Sequence, residues 1–263
     1  MKIFWALITY VNYFFSSRSR YKTHSPFVYD FINNVLRDKT KYRDFVSLNK
    51  YRKSVESRTS IIETVDFGSG AGNKEYREFK EKLGTIAKRR SHSKKRLELL
   101  YRLTRYLQPK QMLEMGTAVG FSSLYLQKGF RNGKLTTMEG CTALSQIAAR
   151  GFKTFNAEDI EIIIGNFDNN LKPTLEKMDS LDFVFFDGNH SKLPTLYYFE
   201  QCMNKINEDS VFVFDDIHWS PGMSSAWKTI KEDPRVSFTI DIYWIGLVFF
   251  KKGFAKQDFV INY

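Results

Sequence analysis

Acidic and imidazole side chains follow two apolar segments in the second half of the chain. Asp187 comes directly after one apolar run, with His190 three residues later, and Asp215 and Asp216 come directly after another. Carboxylate oxygens are the ligands that Mg²⁺ prefers, so Asp187, Asp215 and Asp216 are candidate metal ligands. A neutral imidazole can accept a proton from a hydroxyl group, so His190 is a candidate general base. An alternative for the carboxylates remains open, in which they are solvated or cap helices. An alternative for His190 also remains open, in which it closes its loop by hydrogen bonding.

Two segments combine a strand-like run with a glycine turn, and only one of them has the context of a nucleotide site. The first ends in Gly68–Gly72, and the second turns at Gly116 and enters a helix near Gly120. Glycine at such places lets the backbone turn tightly and lets a ligand approach the helix start. The second turn is followed by a helix and a strand that ends at Glu139, whose carboxylate can accept both hydroxyl hydrogens of an adenosine ribose. A polar stretch with helical character and without a second strand follows the first turn, which is therefore predicted to be structural.

Strand and helix patterns alternate beyond Glu139. A short β-rich run ends at Gly165-Asn166, and the two final apolar runs, 236–244 and 246–250, are predicted to form an antiparallel hairpin. Nearly continuous apolar strands alternating with helices are typical of parallel sheets covered on both faces. The sequence therefore predicts an α/β fold, a Rossmann-like, doubly wound, mostly parallel sheet of seven strands. Ligands in such sheets bind beyond the carboxyl ends of the strands, where the residues named above are predicted to lie.

Length and composition limit the class of protein. The chain has 263 residues, of which 43% are hydrophobic, so it is not a disordered chain. Two cysteines cannot make a disulfide framework or a cysteine-based zinc site, and they fit a reducing cytoplasm. We predict a helical, basic cap over residues 1–95 and a catalytic domain over residues 96–263.

The net positive charge lies in the first part of the chain. Residues 1–110 carry 25 Lys and Arg against 10 Asp and Glu, whereas residues 111–263 carry 15 against 19, which accounts for the net charge of +11. A basic part can face nucleic acid, anionic lipid, an acidic substrate or water. No recognisable nucleic-acid-binding module accompanies the charge.

The opening run from Ile3 to Phe15 is apolar and aromatic, but it is shorter than the roughly 20 residues of a membrane span. Its apolar residues recur at helical spacing. A helix docked on the domain and a helix lying on a membrane surface, anchored by the flanking arginines, are the two main alternatives. Secretion is a third, although no small-residue cleavage site follows. Ser25-Pro26 predicts the start of a second helix.

Taken together, these motifs resemble those of class I S-adenosylmethionine-dependent methyltransferases. The second glycine loop, Glu139, the segment Asp187–His190, the pair Asp215-Asp216 and the terminal hairpin occur in the order found in that class. Residues 95–263 are most similar to small-molecule O-methyltransferases of the catechol and macrolide-sugar types. The segment His24-Ser25-Pro26-Phe27 also resembles the start of bacterial methyltransferases of this group.

The resemblance implies S-adenosylmethionine as the cofactor and assigns residues to it. Its methionine part would lie against the second glycine loop, its ribose would bind Glu139, and Asn166 would lie near the adenine. The full predicted cofactor-binding set is Glu114, Gly116, Thr117, Gly120, Ser122, Glu139, Gly140, Asn166 and Asp187.

The resemblance also implies a divalent metal, with Mg²⁺ held by Asp187, Asp215 and Asp216. The metal would lower the pKa of the acceptor hydroxyl and orient it for attack. Asp216 departs from the asparagine of the catechol type and matches the sugar type better. His190 stands where the catechol type has a basic catalytic residue, so Asp187 and His190 form the predicted catalytic pair.

The resulting prediction is O-methylation of a small molecule that carries a hydroxyl group. A nucleic-acid methyltransferase using the basic part is a rival, but the chain has no Asn-Pro-Pro-aromatic motif. A catalytically silent binding protein is a second rival, because a fold alone does not establish an activity. An NAD dehydrogenase is disfavoured, because the turn from Gly116 to Gly120 lacks the G-x-G-x-x-G spacing. The acceptor and the oligomeric state have no signal in the sequence.

Overall fold

The computed structural model describes residues 2–17, 25–67 and 76–263, excluding the side chains of Lys2 and Ile3. The chain forms two compact units. The first unit comprises residues 1–37 and 171–263, and the second comprises residues 38–170. The predicted boundary near residue 95 separates a cap from a catalytic domain by their functions, and it stays a prediction. The glycine turn at Gly68–Gly72 lies outside the described residues, so its structural role stays a prediction.

Helices and strands alternate through most of the described chain. The helices are α1 (Lys2–Ser16), α2 (Pro26–Phe31, continued by the π-helical turn Ile32–Leu36), α3 (Arg43–Glu56), α4 (Leu83–Arg89), α5 (Lys94–Leu107), α6 (Phe121–Gly129), α7 (Thr142–Thr154), α8 (Phe167–Glu176), α9 (Lys192–Met203) and α10 (Pro221–Glu232). The strands are β1 (Ile61–Asp66), β2 (Arg77–Lys82), β3 (Gln111–Met115), β4 (Lys134–Glu139), β5 (Ile160–Ile164), β6 (Leu181–Phe186), β7 (Ile206–Asp215), β8 (Phe238–Asp241), β9 (Ile245–Phe249) and β10 (Gln257–Val260).

The second unit contains three parallel strands in the order β3-β4-β5. Met115 pairs with Met138 and Glu139 pairs with Ile164, so all three strands end at one edge. A buried cluster that includes Phe45, Tyr101 and Tyr125 packs the helices of this unit together. This edge is therefore held by a packed helical layer.

The segment 77–82 is a strand, although its polar sequence predicts a helix. It pairs antiparallel with β1, from Asp66 opposite Arg77 to Ile61 opposite Lys82. Phe79 is its single apolar residue, and the guanidinium groups of Arg89 and Arg90 lie over that ring. Pairing with β1 overrides the weak local preference of this polar segment. The polar, basic stretch 38–60 has the composition of a loop or a weak helix, yet it contains the complete helix α3.

The first unit contains five strands in the order β10-β8-β9-β7-β6. β6 and β7 are parallel, while β9 runs antiparallel to both β7 and β8. The predicted α/β class, the mostly parallel strands and the C-terminal hairpin are thus confirmed. β10 pairs parallel with β8 and is an additional strand beyond the seven predicted. It could not be predicted because its sequence, Gln-Asp-Phe-Val, buries only Phe259 and gives no strand signal.

Both N-terminal helices pack within the first unit. Ser25 caps α2 by accepting a hydrogen bond from the Val28 backbone, and Pro26 occupies the first helical position, which confirms that prediction. The ring of Phe27 lies edge-on to the rings of Phe238 and Phe249. Within the described ranges, no helix is both long enough and apolar enough to cross a bilayer.

Candidate active site

The turn after β3 is built on a left-handed backbone. Gly116, Ala118 and Gly120 have φ angles of 114°, 46° and 81°, and α6 begins directly afterwards. The backbone N–H groups of Gly116 and Thr117 donate to the Met138 carbonyl at 3.0 and 3.1 Å. These bonds hold the turn against β4 at the point where α6 begins.

Gly120 has no room for a side chain, and we expect Gly120→Ala to destabilise the protein. An added Cβ would lie 2.7 Å from a ring carbon of Phe152 and 2.9 Å from the Ala148 Cβ, at a φ that L residues rarely adopt. Left-handed strain and overpacking each cost about 1–2 kcal/mol, so the free energy of unfolding should fall by about 2–4 kcal/mol. Urea denaturation measures this change. Gly222→Ala is the control, because its Cβ would meet nothing nearer than 3.7 Å, and an equal loss in both variants would contradict the prediction.

Glu139 is buried at the end of β4 and joins two loops. Its Oε2 accepts a hydrogen bond from the Ala118 backbone and its Oε1 accepts one from the Cys141 backbone, both at 2.8 Å. Burial raises the pKa of the Glu139 carboxyl above its ordinary value of 4.5, and the two backbone donors offset that rise only in part. Each carboxylate oxygen retains a second lone pair. Glu139 can therefore accept hydrogen bonds from a ligand while it holds both loops.

Glu114 serves the interior of the fold. Its side chain is fully buried, and its Oε2 accepts hydrogen bonds from the hydroxyls of Ser123 and Thr137. Thr137 also shares a hydrogen bond of 2.6 Å with Thr117. Glu114 thus ties β3 to β4 and α6, which makes it a positioning residue. Neither Ser123 nor Thr137 stands out in the sequence, because the partner of each lies on another element.

The remaining predicted cofactor residues of this unit meet at the same edge. Gly165 donates its N–H to the Glu139 carbonyl at 2.9 Å, and the side chain of Asn166 accepts from the Asp168 backbone at the start of α8. Ser122 lies in the first turn of α6 and is almost completely buried. Gly140 lies against the ring of Phe67, whose Cδ2 would be 2.5 Å from an added Cβ. The sequence alone gives no sign of this role for Phe67.

Asp187 and His190 lie side by side after β6 in the first unit. The His190 Nε2 is 3.7 Å from an Asp187 oxygen, which is ion-pair distance and too long for a hydrogen bond. The intervening Asn189 has a left-handed φ of 48°. This turn brings the imidazole back toward the end of the strand.

Asp215 is the centre of the acidic group in the first unit. It ends β7 and is only 2% exposed. Ligand atoms of His190, Asp215 and Asp216 lie within 4.8 Å of one another, and Asp187 also offers an oxygen within 4.8 Å of Asp215. Asp216 has a φ of 53°, and its backbone N–H donates to the Trp244 carbonyl at 2.7 Å. Two of the predicted metal ligands, Asp187 and Asp216, thus lie beside the third, the buried Asp215, and His190 joins them.

His218 is held by a carboxylate and an aromatic ring of the first unit. Its Nε2 is 2.8 Å from an Asp241 oxygen, to which the Trp227 indole also donates. Its ring stacks on Tyr243, with centroids 5.5 Å apart. His218 therefore positions the loop after β7. The neighbouring Trp219 is 56% exposed.

Comparison with known proteins gives independent information about the fold and the domain. A family model described as a methyltransferase domain matches residues 113–217. An O-methyltransferase from Bacillus cereus, solved in complex with SAH (S-adenosylhomocysteine), superimposes with a TM-score of 0.56 at 18% identity, covering 84% of this chain and 96% of that one. An SAH-bound methyltransferase from Podospora anserina gives a TM-score of 0.60 at 14% identity, covering 88% and 98%. The O-methyltransferase TomG from Streptomyces achromogenes, in complex with SAM (S-adenosylmethionine), gives 0.54 at 22% identity, covering 61% and 82%.

The matched segment begins in β3 and ends just after β7. It contains the turn from Gly116 to Gly120, the buried Glu139 and both acidic strand ends, so the comparison and the geometry agree on the same part of the chain. Residues 113–217 therefore match a methyltransferase domain, and the fold of the chain is that of the SAH-bound methyltransferases compared above.

Proposed function

We propose that this methyltransferase moves a methyl group from S-adenosylmethionine to a hydroxyl oxygen of a small molecule. The observation that carries the proposal is the group of His190, Asp215 and Asp216 at the carboxyl ends of β6 and β7. A carboxylate cluster with an adjacent imidazole suits binding and deprotonation of a hydroxyl group. The names of the Bacillus cereus and Streptomyces achromogenes structures, both O-methyltransferases, favour the same acceptor atom.

In this proposal the second unit holds the methyl donor. Glu139 accepts the ribose hydroxyls, because its carboxylate is fixed by two backbone donors and keeps its second lone pairs. The methionine part lies along Gly116, Thr117 and Ser122, where the chain makes a left-handed turn into α6. Gly140 and Asn166 border the adenine. Burial of Glu139 excludes water, which strengthens the hydrogen bonds it makes.

The donor set of the first unit fits a divalent cation. Asp187, Asp215 and Asp216 place negative charges close together around a buried carboxylate, and such charges repel one another unless a cation offsets them. Carboxylate oxygens are the ligands that Mg²⁺ prefers, and these residues would hold it. A bound Mg²⁺ lowers the pKa of a coordinated hydroxyl and orients it.

His190 accepts the proton in the proposed reaction. As the hydroxyl oxygen attacks the methyl carbon in line, the C–O bond forms and the S–CH₃ bond breaks. The hydroxyl proton passes to His190, and the products are S-adenosylhomocysteine and a methyl ether. Asp187, 3.7 Å from the imidazole, stabilises the cation that His190 becomes.

The metal part of the proposal predicts that Asp215→Asn loses activity. Loss of one buried carboxylate ligand should lower the rate of methyl transfer about 10²-fold or more, and EDTA should do the same to the wild type. The measurement is transfer of labelled methyl groups to a panel of catechols, phenols and sugars, with and without added Mg²⁺.

Asp209→Asn is the matched control, because Asp209 lies on the same strand with its side chain 76% exposed. Full activity of Asp215→Asn, or of chelated wild type, would refute metal assistance. Binding of S-adenosylmethionine without transfer to any hydroxyl compound in the panel would refute the proposed acceptor class.

A further inference from the structure

Helix α1 presents a continuous apolar face to solvent. The exposed side chains are Phe4, Leu7, Ile8, Val11, Phe14 and Phe15. Their spacing of three and four residues puts them along one side of the helix. Phe15 is 82% exposed, Phe4 69% and Leu7 59%. Scattered exposed apolar residues are ordinary, but a contiguous stripe of this kind marks an interaction surface.

The opposite side of α1 is anchored within the first unit. The Trp5 indole donates to the His218 carbonyl at 3.2 Å, and the Tyr13 hydroxyl donates to the Ile261 carbonyl at 2.5 Å. The Tyr243 hydroxyl donates to the Ala6 carbonyl at 3.0 Å. The helix is therefore already docked through one face, and its apolar face is the outer one.

Charge decides which partner fits that face. Residues 1–29 contain no Asp or Glu, and Lys2, Arg18, Arg20 and Lys22 flank the apolar stripe in the sequence. Apolar residues on one face with cations beside them are typical of helices that lie in the interface of an anionic bilayer. A second copy of α1 fits less well, because antiparallel or parallel pairing would bring cations toward cations.

We propose that α1 lies in the plane of an anionic membrane surface, with Phe4, Leu7, Val11, Phe14 and Phe15 inserted at the headgroup boundary. The helix has 15 residues and is about 22 Å long, which suits lying in the interface and not crossing it.

Vesicle flotation of the full chain tests this proposal. The wild type should float with phosphatidylcholine vesicles containing about one third phosphatidylglycerol, and about tenfold less with phosphatidylcholine alone. Binding should weaken at high salt. The triple variant Leu7→Gln/Phe14→Gln/Phe15→Gln should lose about tenfold or more of the binding to anionic vesicles.

The matched control is Val46→Gln/Leu193→Gln, which removes equally exposed apolar side chains from α3 and α9 and should bind vesicles like the wild type. Affinity for S-adenosylmethionine should be equal in all three proteins, so this test is independent of the proposed reaction. Failure of the wild type to float, or equal flotation of the triple variant, would overturn the proposal. Conversion of a wild-type dimer to a monomer by the triple variant, without vesicle binding, would assign the face to a second copy.

Discussion

Replacing Glu139 by glutamine should weaken the binding of S-adenosylmethionine by about 10²–10³-fold. Glu139 is proposed to accept two ribose hydroxyls, and a hydrogen bond to a charged group contributes about 1.5–3 kcal/mol. Glutamine has the same shape but keeps only one acceptor oxygen. Its amide N–H₂ would also oppose one of the backbone N–H groups of Ala118 and Cys141, which now donate to the carboxylate. Isothermal titration calorimetry with S-adenosylmethionine measures the loss.

The control for this prediction is Glu161→Gln, which removes an exposed carboxylate from the adjacent strand β5. Its affinity for S-adenosylmethionine should equal that of the wild type. Melting temperatures without ligand show whether Glu139→Gln is folded, and the more drastic Glu139→Ala should lose at least as much affinity. An unchanged dissociation constant in both Glu139 variants would place the ribose elsewhere and remove the basis of the cofactor assignment.

The apolar strands and the positions at their ends could be predicted from the sequence. The apolar run from Phe183 to Phe186 is typical of a buried strand. The end of that run predicts that Asp187 lies at the carboxyl end of the strand. Ser25-Pro26 likewise determines a helix start by purely local chemistry. These features depend on a few neighbouring residues, which is why composition and period suffice to find them.

Segments whose structure depends on distant partners could not be predicted in this way. β2 is polar throughout except for Phe79, and it is a strand because β1 pairs with it. β10 exists because Phe259 and its neighbours pair with β8. Neither strand has a periodic signal of its own, so only the fold as a whole specifies them.

The same limit applies to side-chain roles in the candidate site. Sequence order places Glu114 at a strand end beside the glycine turn, but it does not show that the hydroxyl of Thr137, 23 residues later, donates to its carboxylate. It also does not show that Asp241 binds His218. Strand position predicts which edge a residue approaches. Its hydrogen-bond partners decide whether the side chain is available to a ligand.

His190 is the residue whose two alternative roles have different consequences. Its position 3.7 Å from Asp187 suits a proton acceptor, and its grouping with Asp215 and Asp216 also suits a metal ligand. A base is needed only while the acceptor hydroxyl is protonated, whereas a ligand is needed at every pH. Acceptor ionisation therefore separates the two roles.

We expect His190→Gln to lower kcat by about 10²–10⁴-fold near neutral pH, as removal of a general base does. Glutamine cannot take up the proton, but the loss should shrink steeply at alkaline pH with a phenolic acceptor, because the ionised phenol needs no base. The measurements are kcat against pH and the metal content of the purified variant. A loss that is constant with pH and accompanied by lost metal would make His190 a ligand, since an imidazole that only holds a cation cannot be replaced by hydroxide in solution.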